Sequence, residues 1–121
     1  MKIYIAGAIF GTGPDHNIKE FHRIAMAAQK QLCAETIIPH NILPEEHLGR
    51  LCPPGRRSDG VKHNEACFLR TDIRELTTCD GIALVPGWQQ SQGARNELSV
   101  ANMIGLTVYY LDPAGLLRKV N

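Results

Sequence analysis

Several things this sequence lacks narrow what it can be. Its 121 residues carry a formal net charge of only +1, so no global field draws it to a nucleic acid polymer or a membrane surface. No run of about 18 apolar residues appears, so no membrane-spanning helix is expected. The opening Lys2-Ile3-Tyr4-Ile5-Ala6 reads as a strand, without the charge and cleavage pattern of a signal peptide. A cytoplasmic protein is the expectation. The four cysteines, Cys33, Cys52, Cys67 and Cys79, include no Cys-x-x-Cys pair. In a reducing compartment they serve as small, mostly buried side chains. A zinc set drawn from Cys52, His63 and Cys67 with His40 or His47 matches no common ligand spacing, so no metal is expected. Repeats, low-complexity tracts and linkers are missing too. With 44% apolar residues, residues 1–121 read as a single domain large enough for a real core.

What is present centres on the stretch from Leu84 to Glu97. It reads as the end of a buried strand, a Pro86-Gly87 turn, and the first turns of a helix. Ala94, Leu98, Ala101 and Ile104 fall at helical spacing around Glu97, which places one carboxylate on a core-facing stripe. Acidic side chains are rarely buried without a partner or a task.

The chain alternates strands and helices. Lys2 to Ala6 is followed by the glycine-rich loop Gly7-Ala8-Ile9-Phe10-Gly11-Thr12-Gly13-Pro14, then a helix carrying Ile18, Phe21, Ala25, Ala28 and Leu32. Asn17 and Glu20 form a capping-box pattern at its start. The loop suits a phosphate, although tight strand-to-helix turns need glycine for steric reasons too. Its spacing is neither a P-loop nor a dinucleotide fingerprint. Glu35 to Pro39 is a second strand. From His40 to about Lys62 periodicity is lost, and Arg56, Arg57 and Lys62 make the segment locally basic. It reads either as a solvated loop or as a contact to an anionic ligand. Asn64 caps a further helix with Phe68, Leu69, Ile73 and Leu76 on one face and Asp72 beside it. Ile82 to Val85 is a continuous apolar strand. The helix of Glu97 follows, stopping near Gly105. Thr107 to Leu111 is the last strand, and a short apolar tail follows Asp112-Pro113. This order predicts an α/β protein: a three-layer, flavodoxin/Rossmann-like parallel sheet of four to five strands with helices on both faces.

Ligands in such sheets bind beyond the carboxyl ends of the strands, at the switch point. If the first and third strands are neighbours there, the loops 7–14 and 86–93 converge. Glu97 and Asp72 both lie early in helices that start at that edge. Asp80 precedes the third strand at the opposite edge and reads as a turn residue. A carboxylate pair beside a phosphate-friendly loop suits cleavage of a glycosidic bond, one carboxyl acting as nucleophile and the other moving a proton. Tyr4 is placed to hold Glu97, though pattern alone favours a plain core tyrosine.

Three pieces, Met1-Lys2-Ile3-Tyr4-Ile5-Ala6-Gly7, Arg70-Thr71-Asp72-Ile73 with Cys79-Asp80-Gly81-Ile82, and the Leu84-to-Glu97 stretch, resemble the nucleoside 2-deoxyribosyltransferase superfamily. The nearest pattern is a small phage and bacterial branch with a Pro-Gly-Trp, a Ser-x-Gly-Ala and a glutamate. The resemblance implies a flavodoxin-like sheet, homodimers or higher assemblies, a small-molecule nucleotide substrate, and no metal or organic cofactor. It implies that Glu97 is the nucleophile, that Asp72 faces the sugar and base, and that Tyr4 orients Glu97. Six residues before the nucleophile, transferases of the superfamily tend to carry aspartate, and nucleoside-monophosphate hydrolases carry a serine on the 5′-phosphate. Here it is Ser91, which suits an anion at a helix start, serves as a plain N-cap, or does both. The expected substrate-binding set is Gly7, Ile9, Gly11, Trp88, Ser91 and Gly93, with Trp88 either stacking on a base or covering the core. The function expected is an N-glycosidase that hydrolyses a (deoxy)ribonucleoside 5′-monophosphate. The alternatives are a deoxyribosyltransferase and a non-catalytic binder of a nucleotide-derived ligand.

Overall fold

The computed structural model describes residues 1–9, 11–42 and 65–120, with the side chains of residues 65–67 left aside. The basic segment, the Asn64 cap, Phe10, and four of the five residues considered for zinc (Cys52, His63, Cys67 and His47, at Cys67 the side chain) lie outside what is described. Among the described residues the elements are β1 (Lys2–Ala6), α1 (Ile18–Leu32), β2 (Glu35–Ile37), α2 (Glu65–Leu76), β3 (Gly81–Leu84), α3 (Gln92–Met103), β4 (Thr107–Leu111) and β5 (Leu117–Lys119), with short 3-10 turns at Pro39–Asn41 and Trp88–Gln90.

The five strands form one sheet in the order β2-β1-β3-β4-β5. Pairings β1–β2, β1–β3 and β3–β4 are parallel, and β4–β5 is antiparallel. The sheet is therefore mixed rather than wholly parallel, because the tail does more than cover the core. Asp112 makes the reversal: its Oδ1 accepts the amides of Ala114 and Leu116, each at 2.9 Å. Gln31 on α1 then bridges the turn, donating to the Gly115 carbonyl at 2.7 Å and accepting the Leu117 amide at 2.8 Å.

Crossover handedness decides which face each helix covers. The path from β1 to β2 runs one way across the sheet; the paths from β2 to β3 and from β3 to β4 run the other way. Right-handed connections then put α1 on one face and α2 with α3 on the opposite one. The core divides accordingly. Ile3, Ile5, Ala83 and Val85 pack against Phe21, Ile24, Ala25 and Ala28 of α1. Tyr4, Ala6, Ile82 and Leu84 pack against Leu76 of α2 and Ala94 and Ala101 of α3. Strand alternation does the sorting, since successive side chains of β1 point to opposite faces.

Two local expectations need correction. The capping box at the start of α1 does not form: Asn17 sits in the left-handed region (φ 63°) and makes no side-chain cap. Its Nδ2 instead donates to the Ala8 carbonyl at 3.1 Å, while Glu20 pairs with Arg23 at 2.7 Å. The stripe around Glu97 is also shorter than the spacing predicts. Ala94, Glu97 and Ala101 are buried, but Ile104 lies past the helix end and is 46% exposed. Among the described residues no helix is long and apolar enough to cross a membrane.

Candidate active site

Because the chain leaves β1 toward β2 and leaves β3 toward β4, a crevice opens at the carboxyl ends of β1 and β3. The two strands meet there very closely. A Cβ on Gly7, just past β1, would stand 2.6 Å from Cβ of Val85, just past β3. Only glycine lets the backbones approach this far. The loop after β1 is held down at several points. Thr12 Oγ1 donates to the Ile9 carbonyl at 2.6 Å, and Nε2 of His40 lies 2.7 Å from the His16 carbonyl, as its donor. After β3, Gly87 takes a left-handed conformation (φ 89°) that only a glycine adopts freely, and the chain turns through Trp88–Gln90 into α3. Ser91 caps α3: its Oγ accepts the Ala94 amide at 3.1 Å.

The crevice is a cleft of about 420 Å³ whose wall includes Gly7, Ile9, Ser91, Gly93, Asp72 and Glu97. Pro39, Phe68, Leu69, Gln90, Gln92, Ala94 and Asn96 also line it. Tyr4 is fully buried beneath it and donates its phenolic hydrogen to Glu97 Oε2. Residues from β1, α2 and α3 thus converge, as the sequence expectation required of Tyr4, Asp72 and Glu97. Two members of the expected binding set are elsewhere. Gly11 is exposed and not part of the cleft wall. Trp88 packs on the α2/α3 side of the core and borders a separate depression of about 170 Å³ with Pro86 and Tyr110. Asp80 lies at the amino edge, where its Oδ2 accepts the Lys2 amide at 2.8 Å.

Burial dominates the electrostatics of the three convergent groups. Glu97, 4% exposed, has its carboxyl pushed up to about 8, chiefly by desolvation and further by the negative charge of Asp72. The hydrogen bond from Tyr4 opposes this. Asp72 is raised to about 7, again by burial first, against the hydrogen bonding of Tyr4 and with help from Glu75. Its Oδ1 is buried with no partner among the described residues, and Asp72 lines the cleft. The Tyr4 phenol stays protonated well above its ordinary range because burial, and then Glu97, disfavour the phenolate. Near neutrality the pair of carboxyls therefore holds at least one proton between them. Such a pair offers one carboxyl to donate a proton and one to act as base or nucleophile.

The sequence expectation omitted the amide-bearing wall of Gln92 and Asn96. Both lie on α3 one turn apart and on the same side of Glu97's stripe, but amides on a helix also mark an ordinary solvated face. Phe68 and Leu69 were legible as apolar positions of α2 and line the cleft instead of filling a closed core. Among the described residues no group of three or more His, Cys, Asp or Glu is arranged to hold a metal ion, and His40 is engaged with the His16 carbonyl.

Fold and site together define an α/β protein with a switch-point cleft over a buried tyrosine and two proton-retaining carboxyls. Residues 1–110 match a family described as a domain of unknown function (DUF4406), and the chain belongs to that family. A search of curated proteins finds no match.

Proposed function

We propose that the protein is an N-glycosidase that splits a (deoxy)ribonucleoside 5′-monophosphate into free base and sugar 5-phosphate. The observation that carries this reading is Glu97, a buried carboxyl held by Tyr4 and set beside Asp72 in the cleft. The strand order, with β2-β1-β3-β4 parallel, is that of a flavodoxin-like sheet, whose ligands sit at this switch point. The first turn of α3 has backbone amides without intrahelical acceptors, at Gln92 and Gly93. Glu97 lies six residues beyond Ser91, about 9 Å along the helix at 1.5 Å per residue. That reach suits a sugar phosphate lying along α3 with its anomeric carbon over Glu97.

Tyr4 occupies Oε2 of Glu97, so Oε1 is the attacking oxygen. It bonds to C1′ as the C1′–N bond breaks, and the bonding pair leaves with the base. The departing base takes a proton from Asp72. Water then attacks C1′ of the glycosyl ester, the ester C–O bond breaks, Glu97 regains its carboxylate, and the water proton passes to Asp72. Without substrate the proton of the pair rests more on Glu97, at about 8, than on Asp72, at about 7. The reacting form is the one in which it has passed to Asp72 and left Glu97 ionised. Positive charge growing on the sugar favours its ionised form at the moment that form is needed. Because both carboxyls titrate between about 7 and about 8, the pH–rate profile should be a bell centred there, as for a pair that must share one proton.

The test is incubation with a panel of nucleoside 5′-monophosphates, with chromatography for free base. Release of base by the wild type, reduced by a factor on the order of 1,000 or more in Glu97→Ala, is expected. Equal release by both would remove Glu97 from the chemistry. Passage of the sugar to an added second base would turn the reading from hydrolysis to transfer.

A further inference from the structure

The proposed reaction leaves one part of the cleft wall without a task. Gln92 and Asn96 both line it, one helical turn apart. Their side chains are joined, Gln92 Nε2 donating to Asn96 Oδ1 at 3.0 Å. The neighbour on the far side settles which atom faces which. Arg95 has donors only, and its Nη2 lies 2.6 Å from Gln92 Oε1, so the Gln92 oxygen must face the guanidinium. Its nitrogen then points to Asn96, and the Asn96 oxygen must receive it. Asn96 is left with Nδ2 and its two N–H groups, for which no acceptor is found among the described residues. Arg95 is itself anchored, Nη1 donating to the Gln89 carbonyl at 2.7 Å. The far end of the chain is fixed.

We propose that Asn96 is a substrate-recognition residue whose oriented amide N–H donates to a phosphoryl oxygen of the nucleoside 5′-monophosphate. This rests on the functional reading above. Side chains on a helix lean toward its N-terminus, which carries the Asn96 amide from the level of Glu97 toward Ser91. The nearest side chains there supply donors backed by a permanent cation, and no acidic residue stands in the first turn of α3. A cation at the head of a hydrogen-bond chain polarises each bond after it and favours a charged acceptor at the end. On the α2 side, Phe68 and Leu69 offer apolar contact instead, so the polar and apolar halves of a nucleotide have separate walls. If the Gln92–Asn96 pair were only a helix-surface contact, its loss would leave ligand affinity unchanged.

The test uses Glu97→Gln as the parent, so that ligand is bound without turnover. Calorimetric titration with the 2′-deoxynucleoside 5′-monophosphates, and with the matching nucleosides lacking phosphate, reads the contact directly. Asn96→Ala in that parent should weaken monophosphate binding by about 10- to 100-fold, the worth of a hydrogen bond to a charged acceptor. Nucleoside binding and the unliganded melting temperature should stay as in the parent. Asn96→Asp should weaken monophosphate binding further, and Arg95→Ala should act in the same direction with smaller size. Equal monophosphate affinity with and without Asn96, or an equal loss for nucleoside and monophosphate, would overturn the assignment. If the parent bound no nucleotide and the wild type released no base, the functional reading itself would fall, taking the role of Asn96 with it.

Discussion

Ile3 and Tyr4 are adjacent in β1 and equally sealed from solvent, yet they enter opposite worlds. Ile3 joins Ile5, Phe21, Ile24 and Ala28 on the α1 side, where the cluster is wholly apolar but for the hydroxyl of Tyr109. Tyr4 faces α2 and α3, where the same depth of burial includes Glu97. One face of the sheet does what a core ordinarily does. The other carries groups whose desolvation works against folding, and it is the face that opens into the cleft. The difference teaches how the two layers divide: α1 holds the sheet together, and the opposite layer bears the desolvation cost of a buried acid pair.

The largest effect should come from breaking the apolar side. Ile24→Ala removes a fully buried side chain under α1 and should cost about 2–5 kcal/mol in denaturant unfolding. Specific activity of the folded fraction should hold, since Ile24 lies on the face away from the cleft.

On the other side, removing a charge should stabilise. The carboxyl of Glu97 sits at about 8 when folded against about 4.3 for an unfolded chain. The native state therefore holds a proton that the unfolded state has released. This penalty is absent at low pH, grows as pH rises through about 4, and levels off above about 8. Glu97→Gln should thus match the wild type near pH 5 more closely than at pH 8, where it should be more stable by about 1–3 kcal/mol. Thermal melts across that range check the sign. A variant less stable at pH 8 than at pH 5, relative to wild type, would contradict it.

The smallest effect separates orientation from chemistry. Tyr4→Phe deletes the donor to Glu97 but keeps the ring in its packing. Because the Tyr4 hydrogen bond lowers both carboxyls, its loss should move the bell-shaped profile to higher pH and reduce kcat by about 10-fold. Base release measured across pH would show this as a shift, not a uniform loss.

Much of this was legible beforehand, for identifiable reasons. The bounds of β1, α1 and β4 follow from hydrophobic periods and turn residues, and the structure reproduces them. Asp72 and Glu97 could be brought to one edge of the sheet because alternation and handedness leave few topologies, whereas pattern alone read Tyr4 as a core residue and only the resemblance paired it with Glu97. The β5 strand was not legible, since Leu117–Lys119 is too short to show alternation. Its turn depends on how Asp112 spends both carboxylate oxygens, on backbone amides and on Arg118. Asn17 misled because the capping pattern is local, whereas the Ala8 carbonyl it meets is a demand of the loop beneath the cleft. Trp88 and Gly11 fall away from the cleft wall for the same kind of reason. Neighbouring residues in a strand-to-helix loop point to different sides, and composition does not say which.

The antiparallel strand at the end of the sheet lies beyond the 1–110 span that matches the family. A parallel sheet ending at β4 would present Thr107–Leu111 as a longer open ladder, ready to recruit a strand from another molecule. β5 takes up that ladder with three residues, two of them Arg118 and Lys119, and is fastened to α1 through Gln31. Short, charged edges resist strand-to-strand addition. The hairpin therefore ends the sheet, on the side opposite β2, in an edge that disfavours the addition of a further strand.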